Sequence, residues 1–253
     1  MPAVSLTSLV TFLDRELGLK DFPKDECANG LQVEGAAHVS SIGLAVDACE
    51  AVFSQARANK VDFLFVHHGL IWGGLRSIRG ITKKRIQSLN GSGISLYACH
   101  LPLDSHPRYG NNAQILRMLS LTKKGAFGEY HGRKISYWGR AGQEMALSVF
   151  CTRIERVLST RTVSFSAGRK VRNVGVISGG GWFGINEAEE LGIDTFLTGE
   201  PAHSAYHLAR EMNVNLVFAG HYATETPGVK AVAKLLQRKF RLQTSFLDEP
   251  TGL

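Results

Sequence analysis

The sequence predicts an α/β protein made of two similar halves. Two observations support this class: strands alternate with helices of about ten residues along most of the chain, and the two halves end their strands in similar polar motifs. Alternation of this kind is typical of βαβ units with a parallel or mixed sheet. The length of 253 residues fits either two small domains or one large α/β domain.

The first half is predicted to begin with a helix, because residues 5–17 carry apolar side chains at helical spacing and either Ser5 or Thr7 is in position to cap them. Asn29-Gly30 predicts a tight turn that leads into a short strand. Further strands are predicted at residues 42–47, 62–66 and 94–99, and helices at 49–59, 82–89 and 112–119. Asn111-Asn112 is interpreted as a cap for the last of these helices.

Residues 123–132 are polar, contain glycine and lack periodicity, so they are interpreted as a junction. We therefore predict a first domain at residues 1–124 and a second at 125–253. In the second domain strands are predicted at residues 135–141, 174–177, 195–197, 216–219 and 244–247, and helices at 145–158, 185–191, 202–212 and 229–240. The run Ser178-Gly179-Gly180-Gly181 fits a phosphate cradle, but a tight turn is the more ordinary interpretation.

The chain is basic, with 29 Lys and Arg against 22 Asp and Glu and a net charge of +7. Basic clusters lie at residues 83–85, 123–124, 169–172 and 238–241. Such a balance favours anionic partners, including nucleotides, nucleic acid and phosphorylated metabolites. The alternative is a solvated surface, which the lack of a recognisable nucleic-acid motif favours.

Several features predict a cytoplasmic protein with no membrane partner. No apolar run approaches the roughly 20 residues of a membrane span. The region from Met1 to Lys20 carries charges within its amphipathic pattern and lacks the features of a signal peptide. Four scattered cysteines without a C-x-x-C pair indicate reduced thiols.

His67 and His68 end an apolar run that is predicted to be a buried parallel strand. Ligands of open α/β sheets bind outside the carboxyl ends of the strands, and at a strand end both rings are within reach of one crevice. The alternative interpretation is one packed ring and one exposed ring.

The halves also share a pattern in which an apolar strand is followed by a histidine and, four residues later, a carboxylate. The pairs are His100 with Asp104 in the first half and His221 with Glu225 in the second. The repetition predicts a duplicated α/β unit whose halves pack about a pseudo-twofold axis and share one site. The alternative is that the residues which end strands in the two halves of an α/β protein are similar by chance.

The polar residues at predicted strand ends form one candidate set of imidazoles and carboxylates: His67, His68, His100, Asp104, Glu200, His221 and Glu225. These donors suit Zn, Mn, Fe, Ni or Co and disfavour a thiolate zinc site. They are numerous enough for two ions bridged by a carboxylate. Because two ions lower the pKa of bound water and polarise a carbonyl or phosphoryl group, the set favours hydrolysis.

Five motifs, taken together, resemble the GTP cyclohydrolase 1 type 2 homologue family, also called the Nif-three-like or YbgI-like family. The motifs are Asn29-Gly30-Leu31-Gln32, His67-His68-Gly69, the run from His100 to Gln114, Thr198-Gly199-Glu200 and Gly220-His221-x-x-Thr224-Glu225. The resemblance extends over essentially the whole chain.

This resemblance implies a dinuclear metal site whose ligands are His67, His68, Asp104, His221 and Glu225. It also implies two similar three-layer α/β domains with the metal site between them, and a ring-shaped homohexamer. Tyr222 stands where close bacterial members have a second histidine, which puts substrate preference in doubt but leaves the ligand set intact.

Four polar residues near these motifs have separate interpretations. His100 is expected to orient Asp104 rather than to bind metal. Glu200 and His207 are candidate acid–base residues or substrate contacts. His203 lies four residues before His207, at a helical spacing that binds metal in some proteins, but it is equally well a surface residue.

The leading functional hypothesis is a dimetal hydrolase that acts on a nucleotide-like or other heterocyclic small molecule, and the family name points to GTP. A second hypothesis is a metal-handling protein that stores or delivers ions without turnover. A third is a basic ring that binds nucleic acid, which predicts a steep salt dependence and a requirement for Arg169, Lys170 and Arg172.

Overall fold

The computed structural model describes residues 3–74 and 77–253. They form two compact units, and the predicted α/β class is confirmed. The first unit runs up to Leu103 and also includes Val229–Glu249; the second comprises Asp104–Gly228 and Pro250–Leu253. Among the described residues, no helix combines the length and apolarity that a membrane crossing requires.

Both units are built from strands and helices, which alternate over only part of the chain. The strands are β1 (Val4–Ser5), β2 (Gly30–Val33), β3 (His38–Val39), β4 (Ser41–Asp47), β5 (Phe63–His68), β6 (Ser95–Ala98), β7 (Thr122–Tyr130), β8 (Arg133–Met145), β9 (Val163–Phe165), β10 (Val171–Ile177), β11 (Thr195–Thr198), β12 (Asn215–Phe218) and β13 (Gln243–Phe246). The helices are α1 (Leu6–Glu16), α2 (Glu50–Ala58), α3 (Gly80–Gly91), α4 (Leu101–Ser105), α5 (Asn111–Met118), α6 (Leu147–Leu158), α7 (His203–Glu211) and α8 (His221–Phe240).

The first unit contains a five-stranded sheet in the order β13-β4-β5-β6-β2. All neighbours are parallel except β2, which pairs antiparallel with β6 at one edge. The side chains from Phe63 to Val66 in β5 are fully buried, as expected for a parallel strand covered on both faces. Burying each large apolar side chain contributes about 1.5–3 kcal/mol, so β5 is a rigid base for the histidines at its end.

The second unit contains a six-stranded sheet in the order β7-β8-β10-β11-β12-β9. Its three central strands, β10, β11 and β12, are parallel, while β8 and β9 pair antiparallel on either side of them. Helix α6 packs on this sheet through Phe150, Ile154 and Leu158. Each unit therefore has a parallel centre with an antiparallel edge.

Helix α1 confirms the capping prediction made from the sequence. It begins after Ser5, whose hydroxyl accepts a hydrogen bond from the Ser8 backbone N–H at 3.2 Å. This bond satisfies one of the N–H groups that the first turn of a helix leaves without a backbone partner. Leu9 and Leu13 are fully buried on the predicted apolar face.

The start of α8 differs from the prediction. The sequence predicted a helix from residue 229, but the helix begins at His221 and contains Pro227. A proline inside a helix lacks the N–H that would bond to the carbonyl four residues earlier. Here the Thr226 hydroxyl donates to that carbonyl, of Ala223, at 3.3 Å, and the next backbone N–H, of Gly228, donates to Asn111 Oδ1 at 2.8 Å.

The predicted junction at residues 123–132 was wrong, because most of it is β7, paired along its length with β8. The segment looked irregular because β7 is an edge strand whose side chains, apart from Phe127, are largely exposed. The helix predicted at residues 185–191 is instead a 3₁₀ helix at Trp182–Glu187.

The last strand, β13, pairs with β4. Residues 229–249 therefore belong to the first unit, although the sequence prediction placed them in the second domain.

Candidate metal centre

His67 and His68 are the last two residues of β5, at the carboxyl edge of the first unit's sheet. His67 is fully buried and His68 is half-buried, and their ring centroids are 4.6 Å apart. Successive side chains on a strand point to opposite faces, but the strand ends here and the two rings lie side by side. Of the alternative interpretation, the packed ring is His67, but His68 is not an exposed ring, because it is partly buried beside His67.

His100 brings a third imidazole to the same edge, two residues after β6 ends. Its ring centroid is 5.2 Å from that of His67 and 5.7 Å from that of His68. One donor atom from each of the three rings lies within 4.8 Å of the others, so the three could hold a metal ion. We call these three residues the imidazole cluster.

Each ring of the imidazole cluster is held through Nδ1 by an oxygen atom. The acceptors are the Cys99 carbonyl for His67 at 2.9 Å, Asp47 Oδ1 for His68 at 2.8 Å and Asp25 Oδ1 for His100 at 2.9 Å. A carbonyl or carboxylate oxygen only accepts, so the proton is on Nδ1 and a neutral ring presents the Nε2 lone pair. Metal-binding histidines are oriented in this way.

Asp25, which was not identified from the sequence, is a buried carboxylate at the centre of its own network. Besides the His100 ring, it accepts from Asn29 Nδ2 at 2.8 Å and from the backbone N–H groups of Cys27 at 3.1 Å and Leu101 at 3.0 Å. Burial raises its pKa, but the hydrogen bonds that it accepts, first from the His100 ring and then from Asn29 and Cys27, outweigh burial and lower the pKa below the ordinary value. Asp25 is therefore ionised and fixes the His100 ring.

In the second unit, Asp104 accepts hydrogen bonds from the side chains of Ser178 and Asn111. Ser178 Oγ donates to Asp104 Oδ1 at 2.8 Å and Asn111 Nδ2 donates to the same oxygen at 2.9 Å. Asp104 is 5% exposed, and a carboxylate this deeply buried requires such compensation to stay charged. The two bonds also fix the rotation of the carboxylate about its side chain.

His221 and Glu225 occupy the first turn of α8, where residues four apart lie on one face. His221 Nε2 is 3.1 Å from Glu225 Oε2, and His221 Nδ1 is 2.5 Å from Glu200 Oε1. Two ligands that each lie about 2.0–2.2 Å from one ion are themselves about 3 Å apart, so Nε2 and Oε2 have the separation of such a pair. A carboxylate oxygen of Asp104 lies within 4.8 Å of one of Glu225. We call Asp104, His221 and Glu225 the carboxylate cluster.

The charge on His221 reflects its two acidic neighbours. Burial of the ring lowers its pKa, but Glu225 and Glu200 together outweigh burial and raise the pKa to about 9. Without metal, the ring is therefore protonated at neutral pH between two carboxylates. A bound cation would take the place of that proton.

The glycine run after β10 lets the backbone approach this cluster. Gly179 has a φ of +60°, and a Cβ added there would collide with Glu225 Oε1 and lie 3.1 Å from His221 Nε2. A Cβ on Gly199 would lie 2.9 Å from the His221 Cα atom. The run forms a turn against the donors, and both glycines are required by close packing.

Comparison with known proteins identifies the family of this chain. The family profile described as Duf34/NIF3 (NGG1p interacting factor 3) matches residues 4–251. The chain belongs to the Duf34/NIF3 family. It is 45% identical over 247 residues to the GTP cyclohydrolase 1 type 2 homolog of Pyrococcus horikoshii, covering 97% of this chain and 98% of that protein.

Solved structures of Duf34/NIF3 relatives share the fold. A Thermus thermophilus protein has a TM-score of 0.89 at 40% identity, covering 99% of this chain and 100% of that chain. The protein ybgI has a TM-score of 0.92 at 33% identity, again covering 99% of this chain and 100% of that chain. The resemblance identified from the sequence motifs is confirmed.

The remaining predicted site residues of this Duf34/NIF3 chain lie in different surroundings. Glu200 is half-exposed and contacts the His221 ring. His207 lies on α7, where its ring neighbours among the described residues are His203 and Tyr206. Tyr222 is buried. His100, expected to orient Asp104, instead bonds to Asp25.

Several residues that hold the donors in place were missed from the sequence. Asp47 pairs with His68 across β4 and β5, so its position at the end of the neighbouring parallel strand was the available signal. Asn111 was interpreted as a helix cap, but Gly110 is the N-cap of α5 and the Asn111 amide bonds to Asp104. No local pattern in the sequence reveals that contact.

Proposed function

We propose that this chain is a metal-dependent hydrolase that binds two divalent ions and acts on a nucleotide-like or other heterocyclic small molecule. The proposed ligands are His67, His68, Asp104, His221 and Glu225. We further propose that the imidazole and carboxylate clusters serve one site shared by the two domains, as the family resemblance implies. Zn, Fe, Mn, Ni and Co all suit such donors.

The observation that carries the proposal is the anchoring of the ligand histidines. His67, His68 and His221 each have Nδ1 bound to an oxygen acceptor, at 2.9, 2.8 and 2.5 Å. This arrangement presents Nε2 for coordination and spares the entropy of fixing the rings when an ion binds. A histidine that is only packed in the core needs a hydrogen-bond partner for just one ring nitrogen, so a single bond of this kind is no evidence for metal binding. The same Nδ1 bond is repeated in both units, and this repetition favours metal binding.

The carboxylates complete a donor set suited to two ions. Asp104 is fixed by Ser178 and Asn111, and Glu225 lies one helical turn from His221. Two bound ions would supply a lowered pKa for water and polarisation of a substrate oxygen. The chain's own contribution is to fix the ligands before binding and to keep Asp104 and Glu225, which are 5% and 3% exposed, away from bulk water.

The names of the relatives and the charge of the chain support the nature of the substrate. Relatives that are up to 45% identical carry the name GTP cyclohydrolase 1 type 2 homolog, which supports a nucleotide-like substrate here. The net charge of +7 also favours an anionic molecule.

Glu200 and His207 remain our candidates for catalytic residues. The contact between Glu200 and the His221 ring supports a role for Glu200 in orienting that ligand. His207 is proposed as a substrate contact, because it is exposed on the face of α7 that also carries His203.

We also propose that the chain assembles into a homohexameric ring and acts in the cytoplasm. The ring follows from the family resemblance, and light scattering coupled to size-exclusion chromatography tests it. The compartment is supported by the four cysteines, none of which forms a disulfide although all lie in the described part of the chain.

The test of the main proposal is metal content per chain, measured by elemental analysis with GTP turnover assayed on the same samples. Wild type is expected to hold two ions, and His68→Ala and Glu225→Ala are each expected to lose metal and turnover together. The matched control is His38→Ala, which removes an exposed imidazole on β3. Fewer than one ion per chain under metal-replete conditions would contradict the proposal.

The other outcomes separate the alternatives. Two exchangeable ions without turnover of GTP or of other heterocyclic substrates would favour the metal-handling hypothesis. Binding of nucleic acid that falls steeply with salt, and that requires Arg169, Lys170 and Arg172 while metal content stays constant, would favour the nucleic-acid hypothesis.

A further inference from the structure

We infer that Trp72 is the surface on which the planar ring of the substrate stacks, beside the imidazole cluster. The inference rests on the proposed function and narrows it, because it specifies a planar heteroaromatic ring, such as a purine base, as the part of the substrate that is recognised. It assigns a binding role to a side chain that supplies no metal ligand.

Trp72 is held rigidly although it lies in the segment that follows β5. Its indole N–H donates to the Gly69 carbonyl at 2.8 Å, and its backbone forms an antiparallel bridge with Cys27. On either side, the Gly73 backbone N–H donates to the Glu26 carbonyl at 2.8 Å and the Ile71 carbonyl accepts from the Ala28 N–H at 3.0 Å. The ring orientation is therefore set before any ligand arrives.

The position of the indole is next to the proposed metal ligands. Its centroid is 4.9 Å from that of His100, at an interplanar angle of 71°, and 6.0 Å from that of His68. A ring stacked on the indole would therefore lie in the immediate neighbourhood of the imidazole cluster. This is where a substrate must be if its reacting atoms are to meet ions held by His67 and His68.

Trp72 also remains 39% exposed. An aromatic side chain this large usually stabilises the fold by being buried. A rigid, partly exposed indole beside polar donors gives less of this stabilisation than a fully buried one would. An exposed indole face does offer a nucleobase dispersion contacts and release of water, and every base has a π face to stack. Preorganisation of the indole reduces the entropic cost of such a contact.

The competing explanation is that Trp72 only packs against His100 and keeps its ring in place. The two roles differ in what they require of the side chain. Packing requires apolar bulk, which leucine supplies, whereas stacking requires a planar ring, which phenylalanine retains in part. Trp72→Leu and Trp72→Phe therefore separate them.

The experiment measures binding to the metal-loaded full chain by titration calorimetry. The probes are GTP, the four common ribonucleosides and ribose 5-phosphate, which has no planar aromatic ring to stack. Trp72→Leu is expected to weaken GTP and nucleoside binding by roughly 5- to 100-fold, the equivalent of one lost base–aromatic stack. Trp72→Phe is expected to lose less, and ribose 5-phosphate binding is expected to be unchanged in both.

The matched control is Tyr130→Leu. Tyr130 is 38% exposed, close to the 39% of Trp72, and it packs against His131 and Phe183 in the second unit. This variant is expected to bind every probe as wild type does. Where turnover is measurable, Trp72→Leu is expected to raise KM with little change in kcat.

Three results would overturn the inference: wild type that binds none of the nucleosides or GTP, Trp72→Leu that binds them as wild type does, or Trp72→Leu that loses metal, since that would make the role structural. If the hydrolase proposal is wrong but the stacking inference is right, the result differs from these three. In that case the metal-loaded wild type shows no turnover while the stacking-dependent binding of nucleosides persists.

Discussion

The imidazole cluster and the carboxylate cluster are held in opposite ways. Each ring of the imidazole cluster donates to an oxygen acceptor and needs no added charge to keep its geometry. In the carboxylate cluster, His221 lies between Glu225 and Glu200, at 3.1 and 2.5 Å. The comparison indicates that the imidazole cluster keeps its geometry without a cation, whereas the carboxylate cluster requires either a proton or a metal ion.

The largest expected effect comes from adding a single methyl group beside the carboxylate cluster. In Gly179→Ala the new Cβ collides with Glu225 Oε1, and the φ of +60° adds a cost of about 1–2 kcal/mol. We expect metal affinity at this cluster to fall roughly 100-fold or more, because two ligands are displaced. Competition with a chelator measures the affinity.

The neighbouring Gly180→Ala is the control for that variant. Its Cβ would meet only Glu200 Oε2, at 3.5 Å, an ordinary contact distance. Near-wild-type metal binding is expected for Gly180→Ala. If the two variants lose metal affinity equally, close packing at Gly179 is not the cause of that loss.

The next effect is a pH dependence of stability in the metal-free protein. The pKa of His221 is raised from 6.5 to about 9. Between these pH values the folded state therefore keeps a proton that the unfolded state has already released. This contribution is fully present below pH 6.5 and is lost as the pH rises through about 9, and it amounts to at most about 3 kcal/mol. Denaturant titrations between these values measure it.

His221→Asn should flatten that dependence, and metal loading of the wild type should do the same, because the ion replaces the proton. If stability falls equally with pH in wild type and in His221→Asn, the two clusters do not differ in their need for a cation.

A smaller effect is expected from removing the carboxylates that orient the rings. Asp47→Ala takes away the acceptor of His68, and Glu200→Ala takes away that of His221. Loss of such a partner typically lowers metal affinity about 10- to 100-fold. In the metal-free protein only Glu200→Ala should also lower the pKa of His221, which NMR titration of the ring detects.

The smallest effect is expected from Ser178→Ala. This change removes the hydrogen bond from Ser178 to Asp104 Oδ1, and the bond from Asn111 to the same oxygen is kept. A single buried hydrogen bond to a carboxylate of this kind contributes about 1–2 kcal/mol. We expect a loss of that size in the free energy of unfolding, with metal content preserved. Loss of metal in this variant would show that Asn111 alone does not orient the carboxylate.

The sequence predicted elements whose signals are local. Apolar spacing and Ser5 located α1, and the run ending in His67 and His68 located β5. It missed β7 because an edge strand with exposed Lys123 and Lys124 shows no apolar alternation. It placed the start of α8 too late because Pro227 is typical of a helix boundary, and the compensating bond from Thr226 depends on the folded backbone.

The candidate site shows the same difference between residues with a local sequence signal and residues that only the folded chain brings into contact. The five proposed ligands follow from strand ends and family motifs, which are short stretches of sequence. The residues that hold them, such as Asp25, Asp47 and Asn111, act across separations set by the topology. Asp25 is 75 residues from His100, and Asn111 contacts a backbone N–H 117 residues away. Only the pairing of strands and helices brings such residues together.

The bond from His67 to the Cys99 carbonyl has a consequence for how the protein evolves. Its acceptor is a main-chain atom next to a strand pairing, since the Cys99 N–H donates to the Val66 carbonyl at 3.0 Å. Exchange of the side chain at position 99 leaves the carbonyl where it is. Neutral drift can therefore remove the partner of His68 by one codon change at Asp47, but the partner of His67 is lost only when the sheet itself is rearranged.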